Sequence, residues 1–314
     1  MVTGRLSGPA SVAILISPST SGRWIDRDSP RLQEELARRG VDAFLVPWYE
    51  ENDWRRYDLV VTGSPWDLFF RPEEFVVWLD DVENETEILN APSIIRWVLD
   101  KHYLGGLAEA GLSVVPTAFV EVGQEPTFPR GDFVVKPVTS GGAINTARYR
   151  QDEVEAATAH VRLLHDQSMS AMVQPYLDAI DVDGERSLIF IDGAFDHAVT
   201  KGAMLKRDEA LDTQREPHPQ PKACTATVVE RELAEAAIAR IPGKEGLLHG
   251  RVDLITAPDG VPAILELELI APMLFLAYSD GGVDRYADAV VGRLEQRRVG
   301  VGGRIAQSVE LQHS

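Results

Sequence analysis

The sequence predicts a chain of mixed α/β and α+β class, with a small parallel-sheet domain followed by antiparallel units. Three observations carry that expectation. At the start, strands alternate with helices in "SVAILIS", "PRLQEELARR", "VDAFLVPW" and "YDLVVTGS", the order of a parallel sheet covered on both faces. In the middle, Asp192-Gly193 separates two extended runs in "RSLIFIDGAFDHAVTK", a strong signal for a two-residue hairpin. Near the end, "GRVDLIT" and "AILELEL" are apolar strands joined through the turn "APDG".

The first strand follows a loose "MVTGRLSGPA". Ser29-Pro30 is expected to cap and open the first helix, and Gly40 to stop it, the usual asymmetry of Pro at the start and Gly past the end. The third strand ends in a turn at Ser64-Pro65, and "RPEEFVVWLDDVE" is amphipathic at helical spacing. These elements define an N-terminal α/β domain at residues 11–92. Residues 93–127 read as linking helices and a strand. In "DFVVKPVTSGGAINTARYR" a strand, a Gly-rich turn and a strand follow one another. With a helix over "QDEVEAATAHVRLLHDQ", the strand "AMVQPYL" and the Asp192-Gly193 hairpin, they form an antiparallel unit at 128–206. The helix "VERELAEAAIARI", the late strand pair and the helix "DRYADAVVGRLEQRR" form a unit at 207–298. Residues 299–314 show no convincing periodicity and are expected to be a disordered tail, part of which need not be native protein.

The 314 residues carry 31 Lys and Arg against 49 Asp and Glu, a formal charge of −18. That balance argues against a general nucleic-acid binder, which needs basic residues to displace counterions. The single Cys224 excludes an intramolecular disulfide and a Cys-rich metal site. A reduced, cytoplasmic setting is the expectation. No apolar run approaches the roughly 18 residues that span a bilayer, and no secretory cleavage site follows the first strand.

The late strand pair carries Asp253, Glu266 and Glu268 inside apolar runs. Successive side chains of a strand face opposite sides, so Glu266 and Glu268 share a face. Asp253, which has the same alternation parity as Arg251, joins them if its side chain takes that face. Carboxylates that close repel unless a proton or cation intervenes. Oxygen ligands without His or Cys favour Mg²⁺ or Mn²⁺. A solvated sheet face is the plainer explanation, but the continuous apolar flanks favour a cation site. Mg²⁺ completes its shell with water and substrate phosphates, and "VVKPVTSGGAINT" offers phosphate-binding groups. Lys136 ends an apolar strand, and Ser140, Gly141 and Gly142 follow; glycines let backbone N–H groups approach phosphate oxygens. Taken alone, Gly-Gly between strands is more often only a hairpin. In "MVQPYLDAIDVDGERS" the strand end can bond an adenine edge through its backbone, and Glu185 can bind ribose hydroxyls, although an ordinary strand and loop would look the same.

The ordered set Lys101 in "LDKHYL", Lys136 in "VVKPVTSGG", "VQPYL", Gly184-Glu185 and "GRVDL…ELELIAP" resembles the ATP-grasp superfamily of carboxylate–amine ligases. The last block is similar to the metal-binding strand pair of D-alanine–D-alanine ligases and glutathione synthetases. "YDLVVTGSPWDLFFRPEEFVVWLD" and "LNAPSIIRWVLDKHYLGGLAEAGLSVVPT" resemble the branch that includes O-ureido-D-serine cyclo-ligase, and the likeness covers residues 12–295. The resemblance implies an ATP-grasp fold behind a Rossmann-like, parallel-sheet pre-ATP-grasp domain. It implies ATP and two Mg²⁺, with Mn²⁺ as an alternative. Lys101 and Lys136 would hold phosphates under the loop from Ser140 to Thr146. Gln174, Tyr176 and Leu177 would line the adenine pocket, with Glu185 on the ribose. Asp253, Glu266 and Glu268 would hold the metal, with Arg251 and Lys201 as catalytic cations. The partner implied is a small amino-acid-like substrate, with no nucleic acid and no membrane; homodimers are common among similar ligases. Two departures stand out. Glu268 occupies a position that is often Asn, and Ala271 stands where close relatives tend to read Glu.

The implied activity is phosphorylation of the substrate followed by C–N bond formation, intramolecular in a cyclo-ligase. A two-substrate amide ligase and an ATP-binding protein without ligase activity are the alternatives. Trp66-Asp67, after the third strand, lies where α/β folds bind ligands. His197 and His249 read as structural, His218 as part of a Pro-rich loop, and Cys224 as lacking the motif of a nucleophile.

Overall fold

The computed structural model describes residues 9–18, 25–205 and 221–310, the last twelve of these by backbone alone. His218 and the N-terminal "MVTGRLSG" lie outside the described residues.

Strands β1 (Ser11–Ile16), β2 (Asp42–Pro47), β3 (Leu59–Ser64) and β4 (Ile88–Leu89) pair in parallel, in the order β2-β1-β3-β4. The central strand shows why its sequence is a continuous apolar run. Val12 and Ile14 pack with Leu32 and Leu36 of α1 (Asp28–Arg38), whereas Ala13 and Leu15 face the core that holds Phe75 and Leu79 of α2 (Pro72–Val82). A strand buried on both faces has no polar alternation to display. Helix α1 starts earlier than Ser29-Pro30 suggested. Asp26 Oδ1 accepts from the N–H groups of Asp28 and Ser29, both at 3.0 Å, so an aspartate satisfies the free donors of the first turn. Gly40, at φ 74°, follows the helix as expected.

Helices α3 (Pro92–Leu99) and α4 (Tyr103–Glu109) lead to a four-stranded antiparallel sheet. It comprises β5 (Ala118–Val120), β6 (Phe133–Pro137), β7 (Ala147–Tyr149) and β8 (Ala171–Pro175), in the order β5-β8-β6-β7. Helix α5 (Val154–Asp166) buries Ala157, Val161 and Leu164 against it.

After the short α6 (Ala179–Val182) comes an antiparallel sheet of five strands. These are β9 (Glu185–Ile191), β10 (Ala194–Lys201), β11 (Lys222–Cys224), β12 (His249–Thr256) and β13 (Pro262–Glu268), in the order β11-β10-β9-β12-β13. Asp192 and Gly193 are both left-handed, at φ 50° and 76°, and close the β9–β10 hairpin as a two-residue turn. This hairpin pairs through β9 with β12, and β5 joins the four-stranded sheet. The sheets therefore group strands over residues 118–175 and 185–268, whereas the sequence grouped 128–206. Strand pairing depends on contacts across the chain, which no local pattern encodes. Helix α7 (Val228–Ala239) opens with a reciprocal Thr227–Glu230 cap and packs beside β12 and β13. Helix α8 spans Gly282–Glu310, running beyond the last helix read from the sequence; residues 311–314 lie outside the described ones. Among the described residues, no helix is long and apolar enough to cross a membrane.

Asn90, fully buried, straps the parallel sheet to the five-stranded one. Its Nδ2 donates to the carbonyls of His249 and Leu269 at 2.7 and 2.5 Å, and its Oδ1 accepts from Leu248 and His249 N–H at 2.6 and 3.1 Å. The outer edge of β13 is covered as well. Tyr103 accepts from Leu267 N–H at 2.8 Å, its hydroxyl facing the Leu267 carbonyl at 3.2 Å, and the Val114 segment bridges Ile264. Backbone groups on a buried edge need such partners.

Candidate active site

One face of the five-stranded sheet carries most of the ionisable groups named above, and the strand registers explain how. Arg251 pairs with Glu268, Asp253 with Glu266 and with Ser187, and Lys201 with Glu185. Alternation brings these residues of β9, β10, β12 and β13 to one side. They floor a cavity of about 170 Å³ roofed by the four-stranded sheet and the loop after β6. Lys136, Ser140, Gly141, Gly142, Gln174, Tyr176, Leu177, Glu185, Lys201, Arg251, Asp253, Glu266 and Glu268 all line it. Lys101 lies behind the floor: it reaches Glu266 Oε1 at 3.2 Å and donates to the carbonyl of Ser140.

The charges interlock. Arg251 grips Asp253 with two hydrogen bonds of 2.8 Å, Nε to Oδ1 and Nη2 to Oδ2. Ser187 donates to Asp253 Oδ1 at 2.5 Å and Lys201 to Oδ2 at 3.1 Å, while Lys201 also pairs with Glu185. Lys136 stands 3.8 Å from Glu266, and Arg251 Nη2 stands 3.7 Å from Glu268. Burial opposes ionisation of Asp253, yet Arg251 and Lys201 outweigh it and hold the carboxyl well below its usual range. Burial likewise opposes Glu266, but Lys101 and Lys136 hold it low. Glu268 has less support: burial, then the charge of Glu266, pushes it up to about 8. Burial raises Glu185 to about 7 against the pull of Lys201, and lowers Lys136 against the pull of Glu266.

These positions bear on a metal. Among the described residues, no group of three or more His, Cys, Asp or Glu is arranged to hold an ion by itself. Asp253 is occupied by Arg251, Lys201 and Ser187. Glu266 and Glu268 remain, on one face and partly open to the cavity. Mg²⁺ needs only one or two carboxylates when water and phosphates complete its shell. An oxygen pair in which burial and then the neighbour's charge oppose ionisation of one member fits such a cation, because the added positive charge would favour ionisation of both.

The loop after β6 is shaped by backbone strain and close packing. Gly142, Ala143 and Asn145 are left-handed, at φ 60°, 55° and 52°. Only the first has the freedom of glycine, and such turns form concave backbone that binds anions. A Cβ on Gly141 would stand 2.3 to 2.6 Å from ring atoms of Phe69, so the glycine is what lets the loop lie against that ring. At the opposite end, Gln174 donates to Thr117 Oγ1 at 2.8 Å. The Tyr176 hydroxyl donates to Asp181 at 2.6 Å beneath the guanidinium of Arg148, which leaves Leu177 and neighbouring apolar groups to form the wall.

A second cavity, of about 310 Å³, lies at the carboxyl end of β3 and the start of α1. Asp26, Asp28, Thr62, Ser64, His249 and Tyr286 are among its lining, and it shares Trp66, Met273 and Phe275 with the first. Trp66 Nε1 donates to the carbonyl of Ala271 at 2.9 Å. Its neighbour Asp67 is a scaffold, accepting from Trp48 at 3.1 Å and Arg71 at 2.6 Å. His249 is buried, with Nδ1 2.8 Å from the Tyr286 hydroxyl; burial draws its pKa down to about 4. Cys224 is a free, half-buried thiol on β11.

Sequence reasoning missed Ser187, Tyr103, Phe69, Met273, Phe275 and Asn90. Ser187 had a signal, sharing alternation parity with Glu185. The others act through loops or distant contacts and had none.

Residues 12–90 match the family model described as the N-terminal domain of the D-cycloserine synthetase DcsG. Over 286 residues the chain is 35% identical to the cycloserine biosynthesis protein DcsG of Streptomyces lavendulae, spanning 86% of this chain and 95% of that protein. A crystal structure of D-cycloserine synthetase DcsG is similar with a TM-score of 0.83 and 33% identity, over 91% of this chain and 100% of that one. A RimK domain ATP-grasp protein from Sphaerobacter thermophilus DSM 20745 shares the fold, with a TM-score of 0.60 at 18% identity over 90% and 100% of the two chains. Fold, site and relatives together define an ATP-dependent ligase of the ATP-grasp type. Within that class, the chain belongs to the DcsG family.

Proposed function

We propose that this ligase phosphorylates a small amino-acid-like substrate and closes a C–N bond within the same molecule, as an O-ureido-D-serine cyclo-ligase does. The observation that carries the reading is the pair of cavities sharing one wall. One is floored by Lys201, Arg251, Asp253, Glu266 and Glu268 under a glycine loop; the other lies at the carboxyl end of the parallel strand β3, the end at which α/β sheets take ligands.

Lys136 and the backbone of Ser140 to Gly142 hold the ATP phosphates, with Lys101 adding charge from behind. Tyr176 and Leu177 face the adenine, Gln174 steadies that end through Thr117, and Glu185 takes the ribose. Glu266 and Glu268 would hold Mg²⁺, for which we propose two ions, Mn²⁺ being able to substitute; Asp253, expected from the sequence as a third ligand, is instead engaged by Arg251, Lys201 and Ser187. Bound there, the metal would neutralise phosphate charge during transfer. Arg251 and Lys201, anchored on Asp253, keep fixed positive charge beside the transferring group, so little reorganisation accompanies the reaction. The γ-phosphoryl group passes to a substrate oxygen as its bond to ADP breaks. A nitrogen of the same molecule, in O-ureido-D-serine the ureido N–H bonded to oxygen, then attacks the activated carbon, phosphate leaves with the electron pair, and that nitrogen releases its proton. The loop from Ser140 to Thr146 excludes water while the reactive ester exists. We also propose a cytoplasmic setting and a homodimeric assembly for this chain.

ADP and phosphate release across amino acids, ureido amino acids and dipeptides tests the reading. Release with O-ureido-D-serine and no added amine is the expected result. A strict need for a second amine points to a two-substrate ligase instead. Tight ATP binding without release for any compound points to a non-catalytic ATP-binding protein.

A further inference from the structure

The segment between β13 and α8 is the wall common to both cavities, through Met273 and Phe275. Phe275 is left-handed, at φ 53°, a backbone state that a bulky side chain keeps only when its surroundings impose it. Two braces from different parts of the chain do so. Asp28, in the first turn of α1, accepts from Leu274 N–H at 3.1 Å with Oδ2 and from Leu276 N–H at 3.2 Å with Oδ1. From β10, His197 Nε2 donates to the Phe275 carbonyl at 3.2 Å. His197 is itself seated by Asp196 at 2.7 Å, which also accepts from Ser279 at 2.6 Å. The braced segment in turn touches the charged floor. Arg251 Nη1 donates to the Met273 carbonyl at 3.3 Å, and its guanidinium lies 5.8 Å from the centre of the Phe275 ring.

We propose that Phe275 is a specificity-determining residue on the partition between the two cavities, and that Asp28 is its positioning residue. The ring limits how far an acceptor in the second cavity extends toward Arg251. Each oxygen of Asp28 holds one amide flanking the ring, so the carboxylate fixes the backbone turn that aims it. Without that brace Phe275 relaxes toward an ordinary backbone, and the partition moves. Trp66, tied to the Ala271 carbonyl, stays as the fixed side of the same wall. The inference rests on the ligase reading above, with the acceptor in the second cavity.

Steady-state kinetics of the full chain, varying O-ureido-D-serine and ATP separately, tests it with Asp28→Asn, Phe275→Ala, Phe275→Gly and the double variant Asp28→Asn with Phe275→Gly. Asparagine places an NH₂ where one backbone N–H expects an acceptor, so one bond is lost to a donor facing a donor. The expected result is a rise of about tenfold in KM for O-ureido-D-serine with either Asp28→Asn or Phe275→Ala. KM for ATP should stay within about twofold. Glycine adopts the left-handed turn unaided, so adding Asp28→Asn to Phe275→Gly should change the acceptor KM no further, a non-additivity that general destabilisation does not produce. An unchanged acceptor KM in Phe275→Ala, or equal rises for both substrates, overturns the proposal. Should the parent chain turn over no compound of the panel, the ligase reading falls instead. Amide exchange then decides the brace: equal exchange at Leu274 and Leu276 in the parent and Asp28→Asn overturns it.

Discussion

The two cavities share a wall but are built in opposite ways. The first is floored by side chains of β9, β10, β12 and β13, where the pleat dictates direction and a charged residue at every second position lands on one face. The second is bounded mainly by loops and helix starts, with Asp26, Asp28, Tyr278 and Tyr286 brought from distant parts of the chain. A rigid sheet suits the group transfer, for which charges must be fixed before the reaction begins. Loops suit discrimination, because their residues change without disturbing the sheet.

The largest expected effect removes charge from the strand face. Glu266→Gln should lower substrate-dependent ADP release by at least about a thousandfold, with an unchanged circular dichroism spectrum. Wild-type release by this variant would remove Glu266 from the chemistry. Next comes the strap between the two regions. Asn90→Ala leaves backbone groups of Leu248, His249 and Leu269 without their partner and should cost about 4 kcal/mol of stability in urea unfolding. A loss under about 1 kcal/mol would mean that the regions hold together without it.

The second cavity should respond to acid through His249. Its folded pKa, lowered by burial from 6.5 to about 4, means that the unfolded chain binds the extra proton first. Stability is therefore full above about 6.5 and falls as pH drops through the window to about 4, by about 3 kcal/mol at most. Thermal unfolding at several pH values measures the slope, and His249→Gln should flatten it; an identical slope in the variant would assign the acid loss to other groups. The smallest effect belongs to the partition itself. Trp66→Phe keeps most of the wall but loses the bond to the Ala271 carbonyl, and should cost about 1 kcal/mol in kcat/KM for the acceptor. A similar loss in ATP affinity would place Trp66 with the nucleotide instead.

Much of the first region is legible in the amino-acid sequence. Glu266 and Glu268 share a face because a strand has period two, and Lys136 announces its place by ending an apolar run ahead of two glycines. The hairpin at Asp192-Gly193 is equally plain, since few residues accept its two left-handed positions. What those acids face is not legible. Asp253 is clamped by Arg251 and Lys201, while Glu268 stands beside Glu266 with less support, and that difference arises from burial and from cations on other strands.

Asp28 shows the limit most clearly. In the sequence it is one acid near the start of a helix; in the fold it holds two amides about 250 positions away, on either side of Phe275. By itself the sequence determined the element types, the alternation of charges along the late strands and the class of chemistry they serve. Only the tertiary structure decided which strands share a sheet, which carboxylate the buried cations support and which loop divides the two cavities. Periodicity is a local property of the chain, whereas pairing, burial and the fields of distant charges exist only once remote segments meet.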